Sequence, residues 1–291
     1  MLSGPLLKLA SLGEGQWGLF TSRQAAVECR VTPLQLKRLT DRGHLVRILH
    51  GVYRVAGAPD SPLDSIRGAW LALEPARTAA DRLRDPVPVG VVSHRSAAAL
   101  QDLGDLDADI HQFTVARHRR SRSPDIAFLV AELDTDDWHL VNGLPATRPL
   151  RTVTDLASAH TDGGHLASVV RDAILTGDTT SAEIAEALRT YAHHYGVPPG
   201  DGAAAVSTFI HTAGVPASAV DLAGDRELTP EMQNAVKKTV LEVLTTSGLN
   251  PISTGTGIQP DLTLILIALQ TLLSNSDQVA ETGPTQLQEP R

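Results

Sequence analysis

Gln35, Lys37, Arg38 and Asp41 fall on one side of a short stretch whose Leu36 and Leu39 belong to the other. Such a row suits recognition rather than bond-making. Glutamine offers adenine a matched donor and acceptor, arginine forks onto guanine O6 and N7, and lysine brings a point charge to phosphate. More candidates for duplex DNA stand around the row. Thr21 and Thr32 lie at predicted helix N-termini, where backbone N–H groups hold phosphate. Arg23 and Arg42 are phosphate candidates, and Arg47 and Arg54 sit on a predicted hairpin that would meet phosphate or the minor groove. Each of these taken alone reads more readily as a solvated surface charge. Their grouping within about forty residues is what favours nucleic acid, although modules of this plan also bind proteins.

Other constellations have bond-making residue types in the wrong pattern. Ser93-His94-Arg95-Ser96 lacks the glycines that flank a hydrolase serine on its sharp turn, so Ser93 is expected to cap a helix and His94 to be a structural hydrogen-bonder. Arg151 and Asp155 are four apart, the spacing of an intrahelical salt bridge. His193 and His194 are adjacent and point about 100° apart on a helix, which does not suit a shared metal. Asp261 is followed two residues later by Thr263, which breaks the paired carboxylates of a two-metal transferase. No lysine follows Lys238, so a nuclease of the Pro-Asp, acid-x-Lys type fails there too. Arg117, Arg119, Arg120 and Arg122 crowd one predicted loop, which reads either as a second phosphate contact or as a solvated hairpin tip. No catalytic residue, cofactor or metal is expected.

The elements that must position the basic row can be read from caps and periodicity. Residues 2–12 predict a helix ended by Gly13-Glu14-Gly15, and Ser22 to Cys29 predicts a second. Thr32 is a natural N-cap and Pro33 a natural first residue for a third, running to about Arg42 and stopped by Gly43. Residues 45–49 and 52–55 predict two strands around His50-Gly51. This order is that of a winged helix-turn-helix, whose third helix enters the major groove.

Beyond a linker at 58–62, helices are expected at 65–84, 93–103, 149–159, 166–175, 181–195 and 203–211. Strands are expected at 89–92, 110–116 and 126–130, with strand and turn over 138–145. The fold class is α+β and helix-rich: an N-terminal winged helix-turn-helix over 1–57, a mixed α/β domain over 60–215, a helical extension of uncertain role over 216–275, and a disordered tail over 276–291.

Composition narrows the class further. Aromatic residues make up 3% of the chain, too few for a base-stacking platform that binds single strands. One cysteine excludes an internal disulfide and a cysteine-rich zinc site. No leader and no apolar run long enough to span a bilayer is evident, so a cytoplasmic location is expected. The net charge of −8 is unevenly spread. Residues 1–60 carry four excess basic charges and residues 151–291 nine excess acidic ones. Phosphate responds to the local field within about 8–10 Å, so a basic module on an acidic body remains compatible with DNA.

Residues 18–55, GLFTSRQAAVECRVTPLQLKRLTDRGHLVRILHGVYRV, resemble the winged helix of the AbiEi antitoxins, the bacterial transcriptional regulators of type IV toxin–antitoxin systems. VVSHRSAAALQDLGDL at 91–106 and GLPATRPLRTVTDLASAH at 143–160 resemble the antitoxin body that follows. The most specific parts are Gly51-Val52-Tyr53-Arg54, His94-Arg95-Ser96-Ala97 and the stretch from Arg151 to Leu156. The resemblance spans about residues 16–175, and residues 220–291 do not match it. It implies a non-enzymatic cytoplasmic autorepressor that binds inverted repeats in its own promoter. It also implies an adjacent gene for a nucleotidyltransferase-like toxin, countered without a stable complex. The alternatives are a DNA-processing enzyme with an unrecognised active site and a protein-interaction adaptor.

Overall fold

The computed structural model describes residues 4–121, 123–175 and 179–213. The extension expected over 216–275 and the tail over 276–291 lie outside the described residues, as does Arg122. The chain divides into two compact units at residues 169/170.

Unit 1 begins with helix α1 (Gly4–Glu14), strand β1 (Leu19–Thr21), α2 (Ser22–Cys29), α3 (Pro33–Asp41), and strands β2 (Leu45–Leu49) and β3 (Val52–Val55). These strands form an antiparallel sheet in the order β1-β3-β2. Leu6 and Leu9 of α1, Phe20, Ala25, Cys29, Val31, Leu36, Leu39 and Leu45 close one apolar core. Phe20 stacks on its cross-strand partner Tyr53, with ring centroids 6.0 Å apart.

The body of unit 1 follows: α4 (Asp64–Leu73), α5 (Ala79–Arg82), β4 (Val91–Val92), α6 (His94–Leu100), β5 (His111–Val115), β6 (Ile126–Val130), β7 (Trp138–Val141), β8 (Leu144–Thr147), α7 (Pro149–Ser158) and the start of α8 (Gly163–Leu175). Its sheet runs β6-β5-β4-β8-β7. Pairs β5/β6 and β4/β8 are parallel, whereas β4/β5 and β7/β8 are antiparallel. The β7/β8 hairpin turns at Asn142-Gly143, both at positive φ (51° and 81°), the geometry of a tight two-residue turn.

Three sequence expectations change here. The helix expected over 65–84 is two helices, because Pro75 cannot continue the first and Thr78 caps the second. Ser93 makes no side-chain cap, and the Gln112 side chain accepts from Arg95 N instead (3.0 Å). Strands β5 and β6 are parallel, so the arginine-rich segment between them is not a hairpin tip. It is a ten-residue crossover that returns along the strand length, which a nearly extended chain can span.

The body and the winged helix share a second core. Leu19 of β1 packs with Ile66, Ala69, Trp70 and Leu71 of α4, Val92 of β4, Ala97 and Leu100 of α6, Phe113 of β5 and Leu144 and Ala146 of β8. Successive strand residues face opposite ways. Leu19 and Phe20 therefore feed different cores, and β1 is the seam between them.

His94 is buried at a positive φ of 52°. Burial holds its imidazole below the usual histidine range, against the pull of Asp155. A histidine with a depressed folded pKa binds its proton more tightly when unfolded. The stability it contributes is thus fully present above its unfolded value of 6.5 and is lost as pH falls from there through the lowered folded value. His94→Asn keeps a residue that tolerates positive φ. It is expected to flatten the fall in melting temperature from about pH 7.5 to about pH 5.5. Parallel wild-type and variant curves would refute this.

Unit 2 holds α9 (Ser181–Leu188), a 3-10 turn (Ala192–Tyr195) and α10 (Gly202–Thr212). Thr180 and Glu183 cap α9 reciprocally. Gly202 approaches α9 so closely that a Cβ would lie 1.8 Å from the Ala185 carbonyl oxygen, so only glycine fits. No helix among the described residues is long and apolar enough to cross a membrane.

Candidate nucleic-acid interface

Helix α3 is anchored by Leu36, which is fully buried, and Leu39. Leu34, Lys37, Arg38 and Asp41, at intervals of three and four, form one exposed stripe on the other side. Lys37 and Asp41 pair at 2.7 Å along it, an exposed ion pair of small energetic weight. Arg38 makes no polar side-chain contact among the described residues. Thr32 and Gln35 form a capping box: the Gln35 Oε1 accepts from Thr32 N (2.8 Å) and from its hydroxyl (3.0 Å), and Thr32 Oγ1 accepts from Gln35 N (3.3 Å).

That box corrects two expectations. Gln35 keeps only its amide nitrogen free, so a bidentate grip on adenine would require opening the cap. The N-terminus of α3 is also a poorer phosphate cradle than Thr32 suggests, since Pro33 has no N–H and the donors of Thr32 and Gln35 are occupied. Arg23 of α2 and Arg42 after α3 are exposed. Arg47 is exposed on the wing, where it donates to the Leu49 carbonyl (3.3 Å) and lies 2.7 Å from His50 Nδ1. Arg30 is a further exposed cation, at φ 56° in the turn between α2 and α3. Sequence reasoning passed over it because a turn arginine has no periodicity to mark it.

This helix order, with its exposed α3 and two-stranded wing, coincides with a family match. Residues 8–56 fit the family described as "Transcriptional regulator, AbiEi antitoxin". Over this segment the chain is similar to the N-terminal domain of AbiEi-family transcriptional regulators. Among solved structures, the crystal structure of the RV2827C protein from Mycobacterium tuberculosis is similar at a TM-score of 0.43 and 14% identity, over 73% of this chain and 82% of that one. No curated protein matches the sequence.

Two residues expected on the DNA face of the winged helix point elsewhere. Thr21 is buried at 1% exposure. It forms a capping box with Gln24, and its hydroxyl donates to the Pro75 carbonyl. Gln24 Nε2 donates to Gln16 Oε1 (3.0 Å) and to the Arg77 carbonyl (2.6 Å), while Gln16 Oε1 also accepts from Ala79 N (2.8 Å). This buried network ties the winged helix to the α4–α5 segment. Arg54 is held by Asp60 and by Asp64 (2.6 Å), with its side chain 11% exposed. The hydrogen bond it donates to Asp60 holds its guanidinium above the usual arginine range. It fastens β3 to the start of α4 rather than facing a groove.

In the body, Arg117 and Arg120 are exposed on the β5–β6 crossover, and Arg119 donates to the Leu73 carbonyl (2.8 Å). Ser93, His94 and Asp155 come together, but not as a triad. Ser93 Oγ (3.0 Å) and Asp155 Oδ2 (3.9 Å) both approach Nδ1 of His94, so the ring cannot relay a proton between its two nitrogens. Ser93 is also fully buried. Arg151 binds Asp155 (2.9 Å), as its spacing predicts, and also Asp137 (2.8 Å). Burial raises Asp155 above the usual carboxylate range despite the Arg151 hydrogen bond. The cluster therefore braces α7 against the turn before β7. Among the described residues, no group of histidine, cysteine and carboxylates could hold a metal.

Proposed function

We propose that this chain is a type IV antitoxin that binds operator DNA through α3 and represses its own promoter, without catalysis. The observation that carries the reading is the stripe on α3, anchored by Leu36 and Leu39 and free outward at Arg38. In this reading Arg38 meets a guanine and Lys37 a phosphate, while Arg23, Arg42 and Arg47 hold the flanking backbone. The amide nitrogen of Gln35 adds a single donor. Thr32 contributes little beyond its cap. Arg117, Arg119, Arg120 and Arg122 supply a second, sequence-independent phosphate contact from the body. The operator carries inverted repeats read by two copies, and the partner is a nucleotidyltransferase-like toxin from the adjacent gene. The body over about 60–215 supplies the antitoxin activity in the cytoplasm.

The test is selection of bound duplexes from a random library by the full chain, followed by affinity measurement. Arg38→Ala is expected to cost about 1–3 kcal/mol on the selected duplex and to relax preference at one position per half-site. Equal binding of selected and scrambled duplexes, before and after the change, would remove Arg38 from base reading.

A further inference from the structure

Leu34 has no place in the core, yet it stands at the N-terminal end of the stripe that holds Lys37 and Arg38. It is 57% exposed on the first turn of α3, between Arg38 one turn on and the capping box behind it. Apart from the Gln35 amide nitrogen, the polar groups beside it are engaged. Thr32 and Gln35 hold each other, and Lys37 holds Asp41. Within the stripe, Leu34 and Arg38 are the side chains with no commitment to the protein itself. One is apolar and one is a fork of donors. A major-groove edge offers a matching pair of features: the C5-methyl of thymine and the O6/N7 edge of guanine.

We infer that Leu34 is a base-reading residue whose isobutyl group seats on the C5-methyl of a thymine in the major groove. Residues four apart on a helix are about 6 Å apart along its axis, so this thymine lies about one to two base steps from the guanine met by Arg38. Leu34 thus sets part of the operator preference, and the operator class is one with a thymine beside a guanine in each half-site. The inference rests on the DNA-binding reading above.

Deoxyuridine differs from thymidine only in lacking the methyl, so it isolates this contact. Each thymine of a duplex selected by the full chain is replaced in turn by deoxyuridine, and affinity is measured with wild type and Leu34→Ala. At one thymine per half-site the wild type is expected to lose about fourfold, the worth of one buried methyl. Leu34→Ala is expected to bind the thymine duplex more weakly and to lose nothing further with deoxyuridine. Leu34→Val serves the same comparison if the alanine variant binds too weakly to measure. No deoxyuridine penalty at any thymine, or the same penalty in wild type and variant, overturns the inference. That pattern includes the case in which Leu34 instead contacts a second copy of the chain. Failure of the full chain to select any duplex overturns the DNA-binding reading, and this inference with it.

Discussion

Trp70→Ala is expected to cost unit 1 about 3–5 kcal/mol and to weaken duplex binding, although Trp70 is not on α3. Trp70 is fully buried in the core that β1 shares with the body sheet. Its indole N–H donates to the Gly90 carbonyl (2.8 Å), its ring meets the edge of Trp17 at 6.2 Å, and the Arg82 guanidinium lies 3.6 Å above it. Truncation leaves a cavity, an unpaired carbonyl and a cation without its aromatic face. Because Leu19 packs in this core and Phe20 next to it packs in the other, loosening one core shifts the strand that supports α2 and α3. Trp70→Phe keeps most of the apolar volume and is expected to lose less. Denaturation followed together with duplex affinity decides the matter. A winged helix that melts separately, with unchanged affinity in the alanine variant, would show that the shared core does not couple the two.

Arg82→Ala is expected to be of similar size, about 3–5 kcal/mol, the cost of removing one partner from a buried charged network. Arg82 has no exposed surface. It donates to the carbonyls of Trp70 (2.5 Å) and Val89 (2.6 Å), and its Nε lies 3.3 Å from Glu74. Burial pushes its guanidinium down to about 9, still above neutral pH, so the charge persists and must be balanced inside. Alanine takes the donor from two carbonyls and one of two arginines from Glu74, which keeps Arg77 at 3.4 Å, whereas methionine at least fills the volume. Arg82→Met should therefore be the milder change, and Arg82→Lys should rescue poorly because a single ammonium cannot fork to both carbonyls. Urea midpoints for the three variants test the order. Equal midpoints for wild type and Arg82→Ala would contradict it.

How far the sequence reached depended on whether a signal was local. Thr32-Pro33, Gly43 and the alternation around Gly51 located α3, β2 and β3, because caps, turn residues and strand periodicity act within a few positions. Strand β1 escaped notice because three residues buried on both faces show no alternation, and Thr21, its last residue, reads as a cap. The Gln16–Gln24 network was invisible for another reason: its partners at Pro75, Arg77 and Ala79 lie more than fifty residues away. Arg54 looked like a wing contact for the same cause, since nothing in its own strand announces Asp60 and Asp64. The parallel pairing of β5 and β6 is a property of topology, which local pattern does not encode. In the candidate interface, residue types placed the exposed polar row on α3. They did not show that Thr32 and Gln35 satisfy each other, nor that Leu34 stands open.

The central claim is that the surface around α3 holds the phosphates of a duplex. Its most direct test is the affinity of the full chain for a selected duplex across a salt series. Arg23, Lys37, Arg42 and Arg47 contribute a logarithmic slope of roughly −3 to −4 per copy, which the crossover arginines steepen further, with Arg47→Ala shallower by about one per copy. A slope near zero, unchanged by that substitution, would mean that no phosphate is held there.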